Sequence, residues 1–154
     1  MRDQSFETRL NLVGGFQAYN VLAALALAVE TGSDMTDAFG TLAHLRGVRG
    51  RMEHVGGLDN GAQVYVDYAH TPDALEVSLK SLKEQFKNKK ISIVFGCGGD
   101  RDKSKRPIMG KIANQYCNRI YLTDDNPRDE NPKKIRLAIK KTIDKSKVFE
   151  ISSR

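Results

Sequence analysis

Two arginines, Arg101 and Arg128, stand in the stretches GCGGDRDKSKR and TDDNPR, beside acidic and amide residues that could complete a site for a small charged molecule. A guanidinium suits bidentate pairing with a carboxylate or phosphate, and Asp125 and Asn126 could take an ammonium group. Asp67 and His70 belong to a third polar stretch, DYAHTPD. Taken singly, each has an ordinary explanation as a turn, a helix cap or a surface ion pair. Gly96, Gly98 and Gly99 leave loop backbone bare, so that N–H groups can approach a ligand closely. The spacing is neither GxGxxG nor GxxxxGK[ST], and the loop alone names no ligand.

The elements around these stretches must position them. Ile91, Ile93, Val94 and Phe95 form an apolar run that stops at Gly96, which predicts a buried, central parallel strand, and a helix follows from Pro107 to Tyr116. Val64 to Val66 predicts a strand running into DYAHTPD, then a helix from Ala74 to Phe86 with Leu75, Leu79, Leu82 and Phe86 on one stripe. Ile120 to Leu122 predicts a strand ending in TDDNPR, followed by a helix from Pro132 to Ile143 and a strand from Val148 to Ile151. This alternation implies an α/β fold with a mostly parallel sheet and helices on both faces. All three polar loops would then leave the sheet at one edge.

Upstream, Arg51 to Val55 predicts a strand and GGLDNG a hairpin turn. Earlier still, Val21 to Val29 is apolar on every side, as in a helix buried between neighbours. A second helix starting at Asp34 or Thr36 would carry Met35, Phe39, Leu42 and Leu45. Gly47 to Gly50 reads as a hinge, so the expected division is 1–48 and 49–154.

Among 154 residues the formal charge is +6, but the Lys-rich stretches 87–90 and 133–147 resemble solvated helix ends. Without interleaved aromatics or a nucleic-acid module, phosphate-bearing small molecules are expected over polynucleotides. No apolar run could span a bilayer and the start lacks the apolar core of a signal peptide, so membrane insertion is not expected and a cytoplasmic location is. Cys97 and Cys117 lack metal-ligand spacing and are expected to be reduced thiols, with no metal site in the chain.

The order GFQAYN, GRMEHV, VDYAHTPDALE, VFGCGGDRDKSKRPIMG and TDDNPRDENP resembles the Mur ligase family, in its diaminopimelate-adding branch. The resemblance implies that 1–48 is the end of a central ATPase domain and 49–154 most of a Rossmann-like carboxyl-terminal domain. It implies an ATP-dependent ligase of peptidoglycan precursor synthesis. ATP phosphorylates the D-glutamyl carboxylate of UDP-N-acetylmuramoyl-L-alanyl-D-glutamate, and the amine of meso-diaminopimelate attacks the acyl phosphate. Carried over by position, Arg101, Asp125, Asn126, Pro127 and Arg128 resemble the diaminopimelate-binding residues, with Arg128 pairing the distal carboxylate. Gln17, Asn20, Arg51, Asp67 and His70 resemble nucleotide-facing positions, although the family commonly has Asn where this chain has Gln17. The family's phosphate-binding loop and most Mg2+ ligands are not in these residues, so this chain alone is expected to be inactive and no catalytic residue is assigned to it. Two other readings are open: another Mur or folylpolyglutamate-type ligase, which the DNPR tetrad disfavours, and a non-catalytic amino-acid-binding or interaction domain.

Overall fold

The computed structural model describes residues 5–152. The chain divides into two compact units, one reaching to Tyr68 and one starting at Ala69. The first holds α1 (Phe16–Glu30), α2 (Met35–Gly40), a 3-10 turn at Leu42–His44, and strands β1 (Glu53–Gly57) and β2 (Gln63–Val66). Asp34 caps α2, accepting the N–H groups of Thr36 and Asp37. The second predicted helix ends at Gly40 and resumes as the 3-10 turn, because glycine weakens a helix interior. Only Gln17 and Val21 of α1 are buried, while Tyr19, Leu22 and Leu27 are exposed, so α1 differs from the enclosed helix its composition predicts.

β1 and β2 form an antiparallel hairpin, with a register irregularity between His54 and Gly56. Its turn closes through Leu58 N–H to Ala62 O and Gly61 N–H to Leu58 O, both 2.8 Å, with Gly61 at φ +80°. The expectation that Val64 to Val66 joins the parallel sheet is corrected: the strand is assigned to a two-stranded sheet with β1. The short GGLDNG link brings these two strands together at small loop-closure cost.

The second unit runs α3 (Pro72–Gln85), β3 (Ser92–Phe95), α4 (Lys105–Tyr116), β4 (Arg119–Leu122), α5 (Pro132–Lys140) and β5 (Val148–Glu150). Its three strands are parallel in the order β3-β4-β5, so the middle strand is β4 rather than β3. Burial follows that order: Ile120 and Leu122 of β4 are fully buried, whereas Ile93 and Phe95 on the same face of β3 are only partly buried. Two like-handed crossovers stepping the same way along the sheet bring α4 and α5 to one face. Leu75 and Leu79 of α3, Met109, Ile112 and Ala113 of α4, and Ile135 and Ile139 of α5 share one core with Ile120 and Leu122. The opposite face carries Val94, Tyr121 and Phe149, with the last two rings stacked 5.3 Å apart. Helices α3, α4 and α5 of this unit share the core on one face of the sheet. Burial of each large core side chain contributes about 1.5–3 kcal/mol.

Helix starts follow local chemistry. Thr71 caps α3, accepting Ala74 N–H at 3.3 Å ahead of Pro72. Asn131 accepts Lys133 N–H at 2.9 Å before Pro132 opens α5. Ahead of α4, Asp102 accepts both the N–H and the hydroxyl of Ser104, fixing the turn that leads into Lys105. α4 and α5 approach closely where Gly110 faces the Ile139 carbonyl and the Thr142 hydroxyl.

Candidate functional site: two interlocked loops

The loops after β3 and β4 leave the sheet at the same end and are tied together over their length. Gly99 N–H donates to Asn126 O at 2.9 Å, and Arg128 Nη1 donates back to Gly99 O at 2.6 Å. Asp100 N–H donates to Glu130 Oε1 at 2.7 Å, and Asp129 N–H to Asp100 Oδ2 at 3.0 Å. Glycine is required by proximity here. A Cβ on Gly99 would collide with the Pro127 carbonyl, one on Gly96 with the Thr123 carbonyl, and one on Gly98 would lie 3.1 Å from Arg128 Nη1. Asp100 and Arg128 both take positive φ, +48° and +49°, a costly conformation for side-chain-bearing residues that the crossed hydrogen bonds hold.

Beneath the loops lies Arg106, a guanidinium only 3% exposed. It forks onto Glu130 through Nη1 to Oε2 at 3.0 Å and Nη2 to Oε1 at 2.8 Å, and Nη2 also reaches Gly98 O at 3.2 Å. Its Nε has no hydrogen-bond partner among the described residues. The Arg106 fork, with the Asp100 N–H second, holds the Glu130 carboxyl down at about 2. Lys103 adds a longer ion pair to Glu130 at 3.5 Å.

Asp125 Oδ1 accepts Asn126 N–H at 2.8 Å, and Asn126 Oδ1 accepts Arg128 N–H at 3.3 Å. A shallow depression below this turn is lined by Cys97, Thr123, Asp125, Pro127 and Arg136, among others. Arg136 pairs with Asp124 and, through Nε at 3.3 Å, with Glu150, which also takes Lys140 at 2.6 Å. Burial pushes the Cys97 thiol up, so it is no ready nucleophile.

Among the expected site residues, Asp125, Asn126, Pro127 and Arg128 form one turn, and Arg101 lies exposed on the facing loop with no ion pair among the described residues. The His70 carbonyl accepts Lys105 Nζ from the start of α4 at 2.8 Å. In the unit ending at Tyr68, Asn20 Nδ2 donates to the buried Gln17 Oε1 at 3.1 Å. Arg51 lies over the Tyr68 ring at 5.1 Å, and Asp67 Oδ2 accepts Met52 N–H at 2.8 Å. Arg106 and Glu130 were not among the expected site residues. Nothing local marks two charges 24 positions apart as partners. The described residues contain no group of three or more His, Cys, Asp or Glu able to hold a metal ion, so no residue is assigned to Mg2+.

A family profile described as Mur ligase, glutamate ligase domain, matches residues 50–154, the span that carries both loops. The chain belongs to the Mur ligase family. A UDP-N-acetylmuramoyl-L-alanyl-D-glutamate--2,6-diaminopimelate ligase from Chelativorans sp. (strain BNC1) is 48% identical over 138 residues, covering 90% of this chain and 28% of that protein. One of the same name from Rickettsia montanensis is 45% identical over 154 residues, covering 99% of this chain and 31% of the relative. A solved structure of a ligase of that name is 41% identical, with TM-score 0.65 over 99% of this chain and 31% of that one. A folylpolyglutamate synthase from Mycobacterium tuberculosis reaches TM-score 0.75 at 22% identity over 94% of this chain and 32% of that one, a likeness of fold alone. This Mur ligase chain spans under a third of the length of these relatives. No helix among the described residues is long and apolar enough to cross a membrane.

Proposed function

We propose that this chain is the amino-acid-receiving part of a cytoplasmic, ATP-dependent ligase that adds meso-diaminopimelate to UDP-N-acetylmuramoyl-L-alanyl-D-glutamate. The observation that carries the reading is the DNPR turn locked to the glycine loop, which presents the Arg128 guanidinium at a fixed place beside Asp125 and Asn126. A second carboxylate on the incoming amino acid would pair with Arg128, and lysine lacks that carboxylate. Asp125 and Asn126 would take an ammonium group, and Arg101 is available for a further carboxylate. The names of the relatives at 45% and 48% identity support the same substrate.

In the proposed reaction, ATP phosphorylates the D-glutamyl carboxylate, the diaminopimelate amine attacks the acyl phosphate, and inorganic phosphate leaves. The contribution of this segment is orientation of the attacking amine, a positioning effect that can supply much of a rate enhancement. Gln17, Asn20, Arg51, Asp67 and His70 are assigned to the nucleotide. The division of labour between 1–48, as the end of the ATPase domain, and 49–154, as the carboxyl-terminal domain, belongs to the same proposal. The 154 residues contain no GxxxxGK[ST] loop to hold the transferred phosphoryl group, so the chain by itself is expected to show no turnover. Titration calorimetry of the chain with meso-diaminopimelate and L-lysine tests the reading. Measurable binding of the first and weaker binding of the second is expected, and equal affinity for both would overturn the specificity.

A further inference from the structure

We propose that Arg106 and Glu130 are positioning residues: their buried ion pair sets the glycine loop against the DNPR turn and so holds Arg128 where the incoming amino acid meets it. The proposal rests on the reading of this chain as an amino-acid-receiving module, and concerns two side chains that would not themselves touch the ligand.

The geometry is that of a fastener between two loops. One guanidinium contacts Gly98 O on the first loop and both carboxylate oxygens of Glu130 on the second. Glu130 Oε1 also accepts Asp100 N–H, so one carboxylate oxygen fixes the backbone immediately after Gly99. Gly99 in turn receives Arg128 through its carbonyl and gives its N–H to Asn126 O. The path from Arg106 to Arg128 therefore consists of hydrogen bonds and the single Gly99–Asp100 peptide unit, with no exposed flexible side chain between them.

The cost of the arrangement points the same way. Arg106 is buried with Nε lacking a partner among the described residues, and a buried pair adds little net stability over an apolar replacement. A planar fork does supply direction, which a packed apolar contact would not. Since Arg128 and Asp100 hold positive φ, both loops also need an outside restraint to stay in register.

The test uses Glu130→Gln, which keeps shape and removes the charge, and Arg106→Lys, which keeps charge and removes the fork. Amide hydrogen exchange at Gly99 and Asp100 is measured in this chain. Kinetic constants are measured in the full-length ligase carrying the same substitutions. In both variants exchange at these two amides should accelerate, and KM for meso-diaminopimelate should rise roughly 10-fold or more while KM for ATP stays within about 3-fold. An equal rise in both KM values would mark general loosening and overturn the proposal, as would an unchanged diaminopimelate KM. If Glu130→Gln does not fold, Glu130→Asp shortens the arm while keeping the charge and is held to the same readouts. If the unsubstituted ligase does not use meso-diaminopimelate, the functional reading falls. The exchange data still decide the fastener, because unaltered exchange in both variants overturns it whichever amino acid the module takes.

Discussion

Replacing Gly99 with alanine forces a choice between strain and separation of the two loops. The new Cβ would collide with the Pro127 carbonyl oxygen and lie 2.6 Å from its carbon and 3.2 Å from Glu130 Cβ. Backbone cannot rotate out of the way as a side chain can. If the loops part, they lose the Gly99 to Asn126, Arg128 to Gly99 and Asp100 to Glu130 hydrogen bonds. The neutral bond contributes about 1 kcal/mol and each charge-assisted one about 1.5–3 kcal/mol, so complete parting would cost more than about 4 kcal/mol. Strained retention costs about 1–3 kcal/mol in typical overpacked sites. The cheaper route is partial retreat under strain, and the expected loss is about 3 kcal/mol. With a urea slope of about 1–3 kcal/mol/M, the midpoint followed by circular dichroism should fall by roughly 1–3 M. Gly40→Ala is the control, since nothing lies within 4 Å of its Cβ position and its φ is not positive. It should leave stability within about 0.5 kcal/mol or raise it by up to about 1 kcal/mol. A Gly99→Ala midpoint within about 0.3 M of the unsubstituted protein would refute the close approach and the loop lock built on it.

Arg128→Ala in the full-length ligase should lower kcat/KM for meso-diaminopimelate by roughly 10- to 150-fold, the equivalent of one charge-assisted contact of about 1.5–3 kcal/mol. The value for L-lysine should change less, and an unchanged ratio between the two would remove Arg128 from recognition of the second carboxylate. The Glu130 carboxyl, held from its ordinary 4.5 down to about 2, contributes stability that is fully present above 4.5 and lost as pH falls through about 2. Glu150, lowered chiefly by Lys140, acts in the same direction. Thermal melts should therefore fall between pH 4.5 and 2, and Glu130→Gln should flatten part of that fall; parallel profiles for the two proteins would contradict the coupling. Burial pushes the Cys117 thiol up to about 12. At pH 8 roughly one in ten thousand of these thiols is ionised, so iodoacetamide should label it only after denaturation, and rapid native labelling would show the site to be open.

Much of the second unit was legible in the sequence because its signals are local. An apolar run ended by glycine marked β3, and the Pro-led opening of α5 announced a helix start. The motif order also carried the family, and the DNPR turn was identifiable as a unit because its four residues are contiguous. Pairing was not local. The hairpin turn was readable, but the assignment of β2 to β1, the central place of β4 and the gathering of α3, α4 and α5 on one core face follow from which strands and helices meet. Periodicity gives each element an apolar side without saying what will cover it, as the exposed Leu22 and Leu27 of α1 illustrate.

At the site the same division holds. Residue types alone gave Arg101 and Arg128 the capacity to pair a carboxylate or phosphate and Asp125 and Asn126 the capacity to take an ammonium group, since charge and hydrogen-bonding capacity belong to the side chain wherever it lies. Only the tertiary structure decided that Gly99 must be glycine for want of room, that Arg128 is tied to Gly99 O, and that Arg106 is buried against Glu130. Those facts depend on distances between loops 24 to 30 residues apart in the chain. Such distances are fixed by how β3 and β4 pair and how α4 packs beneath them, and no short window of sequence contains both partners.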